Sequence, residues 1–548
     1  MSTTAPTGLP TAGHAVAHTL LNCLLREVCG PEHRTAVTGG HLLLRLPATG
    51  TLLRVALRRT SLTGAHRFTG PVFEERHGGW TELGRERLAM RVHAELTART
   101  GVANDEFLEQ LASSHEGVEA ALDRPAAPPD DGYLESEQAL VFGHRFHPTP
   151  KARTGGRDAW TAYAPEARAA FPLRHLAVRA GLLAQDSSEP WAPDALDRLR
   201  PVPDGYRLLP AHPWQYELLS GHPRLRAALA AGDILDLGTG GALYTPTSSV
   251  RTLYGDGMFL KFSLNVRITN CLRKNAAYEL TGAVALTRAL APVLERLAGR
   301  FPGHAVLREP AYRSAGLGND LLEGLGVIVR EGPARHLPAG VTPLLAAAVA
   351  DEYPTCSAHI SRLLEGAGPQ AALQWWSAYL RLVVPPVLAA YFDHGVVLEP
   401  HLQNVLIGVD TDGFPVRVLF RDLEGAKLLP ERHAGLLASL PADVARPMTY
   451  DARRGWDRVV YCLFVNHLAE LAAAIADLHP HLEPTLWGRV HRTLREYAAE
   501  NGCPPALRAL LDGAPLPAKA NLLTRWRRQA DRSSGYVPIP SPLSWEDA

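Results

Sequence analysis

Cysteine is scarce in this chain and never clustered. Cys23, Cys29, Cys271, Cys356, Cys462 and Cys503, among 548 residues, form no C-x-x-C pair. That argues against a zinc or iron–sulfur site and predicts reduced, mostly buried thiols of a cytoplasmic protein. Excess charge is lacking too: 56 Lys plus Arg balance 56 Asp plus Glu, so nothing global points to nucleic acid and no acidic tail is present. No Lys or Arg precedes Arg26, so the charged start of a signal peptide is missing. No stretch reads as apolar for long enough to cross a bilayer. Two nucleotide signatures are absent: the G-x-x-x-x-G-K-[ST] loop and the G-x-G-x-x-G turn. What remains is globular, with 46% hydrophobic and 20% charged residues, enough for a large core in two to four subdomains.

Periodicity sketches the organisation. Apolar spacing predicts a helix from His14 to Val28 behind a disordered first dozen residues. Alternation predicts strands at Leu42–Leu46 and Leu52–Leu57 around a Pro-Ala-Thr-Gly turn. Helices follow over Glu86–Arg99 and Glu106–Leu122, then a Pro-rich linker over Arg124–Asp131. The middle third reads as short strands, including Tyr206–Leu209, Met258–Leu264 and Gly326–Arg330, with a long helix over Asn275–Leu297. The last third reads as mainly helical, with helices over Gln370–Phe392, Trp456–Leu478 and Leu486–Ala499.

One exception in that last third carries the most information. The runs Glu399–Ile407 and Val418–Gly425 flank Asp410-Thr411-Asp412-Gly413, a strong turn signal. A hairpin there brings Gln403 and Asn404 back beside Asp422 and Glu424. This is an oxygen set that suits magnesium with phosphate, and it resembles the Asn and Asp pair of protein kinases. Three donor-rich segments accompany it. His144-Arg145-Phe146-His147-Pro148-Thr149-Pro150-Lys151 puts cationic and donor groups on a Pro-broken loop, which suits a polyphosphate better than a metal. Pro246–Thr252 offers Ser249, Arg251 and Thr252, either to phosphate or as a Ser/Thr turn. Met258–Asn265 should expose Lys261, Ser263 and Asn265 on one strand face, and Arg273 should open the helix that follows. His212-Pro213-Trp214 reads equally as a structural corner or a nucleotide contact.

In this order, these segments resemble the IucA/IucC family of NRPS-independent siderophore synthetases, over about residues 130 to 430. Arg145 stands where the family often has Pro. The resemblance implies an α+β, cupped-hand fold: a thumb-like region 1–130, a fingers-like region 131–335 and a palm-like region 336–548. It implies ATP and Mg2+ and the adenylation of a carboxylate (citrate, a citrate derivative or a succinyl hydroxamate), with loss of pyrophosphate. An amine or hydroxyl nucleophile would then attack. The nucleotide would be held by His144, His147, Lys151, Ser249, Arg251, Thr252, Lys261, Gln403 and Asn404, and the metal by Asp422, Glu424 and Asn404. The carboxylate would meet Arg273, His401 and Thr269. His401 would serve either as a base poised near neutral pH or as a positioning group. A homodimer is common in the family. Two other readings compete. A kinase-like phosphotransferase would need a catalytic Asp where Gln403 stands. The other is a non-catalytic binding protein or an iron-siderophore reductase, and a reductase with an iron–sulfur cluster would need clustered cysteines.

Overall fold

The computed structural model describes residues 8–123, 128–268, 271–529 and 534–544. The first part of the linker (124–127), Thr269 and part of the chain start therefore lie outside the described residues. The N-terminal region is a five-stranded antiparallel meander in chain order: Thr35–Thr38, His41–Arg45, Leu52–Arg59, Arg67–Arg76 and Gly79–Leu83. Alternation sets its buried face, with Leu42, Leu44, Leu53 and Val55 inside. Helices Ala12–Leu24, Arg85–Thr100 and Asp105–Leu122 cover that face. The buried Glu95 stitches helix to turn by accepting from Ala48 N and Thr49 N at 2.9 and 2.8 Å. Leu522 and Trp526, near the end of the chain, sit in this same core. The last third thus returns to the first.

The central feature is an eight-stranded sheet. Its order is Leu183–Ser187, Ala311–Ala315, Val327–Glu331, Met258–Phe262, Thr252–Gly255, Ile234–Pro246, Phe171–Arg179 and Tyr206–Ala211. Met258–Phe262 lies mid-sheet and is buried along its whole length. Lys261 and Ser263 are accordingly buried, not displayed on an open face as the alternation implied. Ser263 is a structural residue, accepting from Asn275 N at 2.8 Å and donating to Glu323 O at 2.5 Å. A second correction concerns Arg273. It ends the short strand Cys271–Arg273, and the helix starts later, at Ala277–Arg300.

The predicted hairpin forms, from Val405–Val409 and Pro415–Phe420. Asp410 accepts from Asp412 N and Phe414 N at 3.0 and 2.9 Å and closes the turn. The hairpin is not a surface ribbon. Thr342–Leu345 pairs antiparallel on one side and His304–Val306 parallel on the other, and its strands belong to the largest core cluster. Helix Ala452–Leu478 corrects the reading of apolar runs, being long and apolar enough to cross a membrane by length and composition. However, 94% of that apolar window is buried inside the protein. The run is a core helix, interrupted by a π segment at Tyr461–Leu468.

Candidate active site

A cavity of about 460 Å³ opens where the eight-stranded sheet, the hairpin, the π segment and the N-terminal helix meet. The hairpin register pairs Val405 with Phe420, and Arg421 N donates to Asn404 O at 2.9 Å. Gln403, Asn404 and Asp422 thereby reach the cavity wall together, with His401 beside them. The Thr247–Thr252 turn contributes Ser249, Arg251 and Thr252, and the Pro-broken loop contributes His144, His147 and Lys151. Lys261 and Arg273 complete the predicted set on the wall. Glu424 lies behind this surface, in contact with Lys261, and Thr269 lies outside the described residues.

Two site residues hold left-handed backbone: Val250 with φ 68° and Asp422 with φ 73°. A β-branched residue is a true outlier there. Val250 is held by its side chain, which packs with Trp160, Trp214, Leu264 and Val266. That settles the role of His212-Pro213-Trp214. His212 caps the helix Pro213–Leu219 by accepting from Trp214 N at 3.2 Å, and Trp214 is buried against Trp160. The corner is structural, and it braces the Val250 turn from behind.

Charge is concentrated around Asp422. Its Oδ1 accepts from Lys261 Nζ at 2.6 Å and from Arg330 Nη2 at 2.5 Å. Lys261 also donates to Glu424 Oε1 at 2.5 Å, and Arg330 to the fully buried Glu309 at 2.6 Å. Burial pushes the Asp422 carboxyl up, but Lys261 and then Arg330 outweigh it and hold it well below the usual range. Nearby, burial and then Glu424 push the Glu279 carboxyl up. Among the described residues, no three His, Cys, Asp or Glu side chains form a metal-holding group.

Two site histidines, His401 and His144, are shifted toward the neutral form. Burial pushes His401 down to about 4, with Glu399 opposing and Arg458 adding. His144 falls to about 3, through burial and then His147. His401 is therefore a neutral imidazole at physiological pH, not a group poised near 7. Lys151 is also lowered, to about 7, by burial and then Arg153. Its ammonium donates to Leu140 O.

Several supporting residues escaped the sequence reading. Glu137, fully buried, takes the Arg421 guanidinium on both oxygens and accepts from Ser248 N at 3.0 Å. It ties the helix Gly132–Gln138 to both the Ser249 turn and the hairpin. Glu399 takes a bidentate fork from Arg458 at 2.8 Å twice, which outweighs burial and holds its carboxyl at about 2. Asn466 accepts from Leu402 N at 3.1 Å and lies 2.7 Å from His144 Nε2. His467 donates Nδ1–H to Pro400 O at 2.8 Å and accepts from Tyr379 at 2.5 Å. No local signal in the sequence marked these partners.

Comparison with known proteins agrees. The IucA / IucC family model matches residues 132–351, and a model described as ferric iron reductase FhuF-like transporter matches 373–534. The second segment contains only Cys462 and Cys503, too few for a four-thiolate cluster. Rhizobactin siderophore biosynthesis protein RhbC of Rhizobium meliloti is 31% identical, over 96% of each chain. L-2,3-diaminopropanoate–citrate ligase of Staphylococcus aureus is 32% identical, over 76% of this chain and 75% of its own. The structure of ATP-bound aerobactin synthetase IucA from Klebsiella pneumoniae superposes with a TM-score of 0.86 at 25% identity, covering 96% of this chain and 99% of that one. Motifs, α+β fold and relatedness coincide, and this chain belongs to the IucA/IucC family of NRPS-independent siderophore synthetases, ligases of siderophore biosynthesis.

Proposed function

We propose that this ligase activates a citrate-like carboxylate as an acyl-adenylate and passes the acyl group to an amine. The observation that carries the reading is the convergence of Ser249, Arg251, Thr252, Lys261, Arg273 and His401 on one cavity. Adenylation brings a carboxylate against a triphosphate, so donors and cations must crowd where anions meet. In the first step a carboxylate oxygen bonds to the α-phosphorus and pyrophosphate leaves. In the second the amine nitrogen bonds to the acyl carbon, the C–O bond to AMP breaks, and the amine loses a proton. Ser249, Arg251, Thr252 and Lys261 hold the phosphates. Arg273 holds the carboxylate, while His401, neutral at working pH, accepts the proton. Its proton affinity rises when an anionic adenylate lies beside it.

The oxygen donors near the hairpin fit magnesium. Asp422 faces the cavity, Asn404 stands beside it, and Glu424 Oε2 is buried with no hydrogen-bond partner among the described residues. A magnesium ion there would screen the phosphate charge. Kinase-like transfer is disfavoured because Gln403 occupies the position of the catalytic base. The regions 1–130, 131–335 and 336–548 are proposed to act as thumb, fingers and palm, and the protein to work as a homodimer.

Incubation with ATP, Mg2+, hydroxylamine and a panel of carboxylates tests this. AMP and pyrophosphate formed with one acid only are expected. ADP and phosphate would overturn the adenylate.

A further inference from the structure

His401 lines the cavity, and among the described residues none hydrogen-bonds its imidazole. A catalytic histidine is ordinarily oriented by a partner on its second ring nitrogen. Without one, the aim of the ring depends on the backbone that carries it. One element holds that backbone at three points, the helix Ala452–Leu478. Arg458 forks the Glu399 carboxylate, His467 donates Nδ1–H to Pro400 O at 2.8 Å, and Asn466 accepts from Leu402 N at 3.1 Å. The carbonyl before His401 and the amide after it are thus both fixed, by side chains of two adjacent residues.

An unbroken α-helix would not allow this grip. Arg458 and His467 are nine positions apart. At about 100° per residue, an α-helix would point them about 180° from each other. The π segment Tyr461–Leu468 contains both Asn466 and His467. Its i→i+5 bonding turns less per residue and brings the three side chains toward one loop. The grip is also rigid. A carbonyl only accepts, so the His467 proton sits on Nδ1, and Nε2 accepts from Tyr379 at 2.5 Å. His467 and Tyr379 are both 0% exposed. The Asn466 amide reaches His144 Nε2 at 2.7 Å as well, so one residue ties the His401 loop to the His144 loop.

We infer that the π segment is a clamp on the His401 loop, and that Asn466 and His467 are positioning residues for acyl transfer. This rests on the acyl-transfer reading above. Both residues act through His401, by fixing the peptide groups on either side of it, and neither takes part in the proton transfer.

The test is a double-mutant cycle with His401→Gln, read on each preparation in two assays: amide formation and carboxylate-dependent pyrophosphate exchange. The ratio of the two rates is independent of how much protein is folded. A small misplacement of a reacting group is costly, so Asn466→Leu and His467→Leu should each lower kcat for amide formation by about 10- to 100-fold. The amine KM should change little, and pyrophosphate exchange should fall far less. His467→Asn, whose amide nitrogen takes the place of Nδ1, should recover most of the loss seen in His467→Leu. In the His401→Gln background either leucine substitution should cost little more, because residues that act as a unit are not additive. Losses that add in that background, or a raised amine KM with unchanged kcat, overturn the clamp. Non-additive losses of equal size in both assays support the clamp and overturn instead the assignment of His401 as the proton acceptor. If the wild type turns over no acid, crystal structures of wild type and Asn466→Leu decide. A displaced 400–402 segment supports the clamp, and an unmoved one overturns it.

Discussion

Asp422 joins left-handed backbone to a carboxylate wedged between Lys261 and Arg330. Such backbone costs about 1–3 kcal/mol and persists where the surroundings over-determine it. Here a lysine and an arginine from two strands of the large sheet supply that constraint. His401 is the residue whose role separates the two chemical steps. His401→Gln should lower amide formation from an alkylamine by about 100-fold or more, the contribution of a general base. Carboxylate-dependent pyrophosphate exchange should fall far less, and equal losses in both assays would make His401 a positioning group for the carboxylate. His467 provides a pH test of the scaffold. Burial holds it at about 4 against an ordinary value of 6.5. Its contribution to stability is therefore full above pH 6.5 and is lost as pH falls toward 4. The gap in unfolding free energy between wild type and His467→Gln should shrink by about 2–3 kcal/mol from pH 7 to pH 4.5. A constant gap in denaturant titrations would contradict it.

At the scale of elements, the Glu137–Arg421 pair joins the helix Gly132–Gln138 to the hairpin across 284 positions of sequence. Both side chains are nearly or fully buried. Removing one partner leaves an uncompensated charge, so Arg421→Met should destabilise by about 3–5 kcal/mol. Glu137→Leu together with Arg421→Met should recover most of that loss in thermal unfolding, and no recovery would show that the pair is not the joint. The same elements explain what the sequence revealed. The hairpin was legible because an Asx-rich turn separates two apolar runs. The helices Arg85–Thr100, Asp105–Leu122 and Pro369–Phe392 follow their periodicity to within a residue or two. Glu137, Arg458 and Asn466 were not legible. Each sits inside an ordinary helical pattern, and its partner is fixed only by tertiary packing. The face of Lys261 was misread because alternation assumes one wet side, whereas Met258–Phe262 is covered on both.

For the whole molecule, three segments meet at one cavity: a meander-and-helix region that supplies its floor, a large sheet that supplies cations and hydroxyls, and a helical region whose π segment aims Asn466 at the centre. Most predicted site residues line that cavity because they lie in short runs whose local turns and strand ends place neighbouring donors together. Carboxylate-dependent exchange of labelled pyrophosphate into ATP, measured on the full chain with Mg2+ and no amine, tests the central claim most directly. The acyl-adenylate account predicts exchange that requires one particular acid and is abolished in Lys261→Met. Amide synthesis from that acid with no pyrophosphate exchange, and with ADP as the nucleotide product, would contradict it.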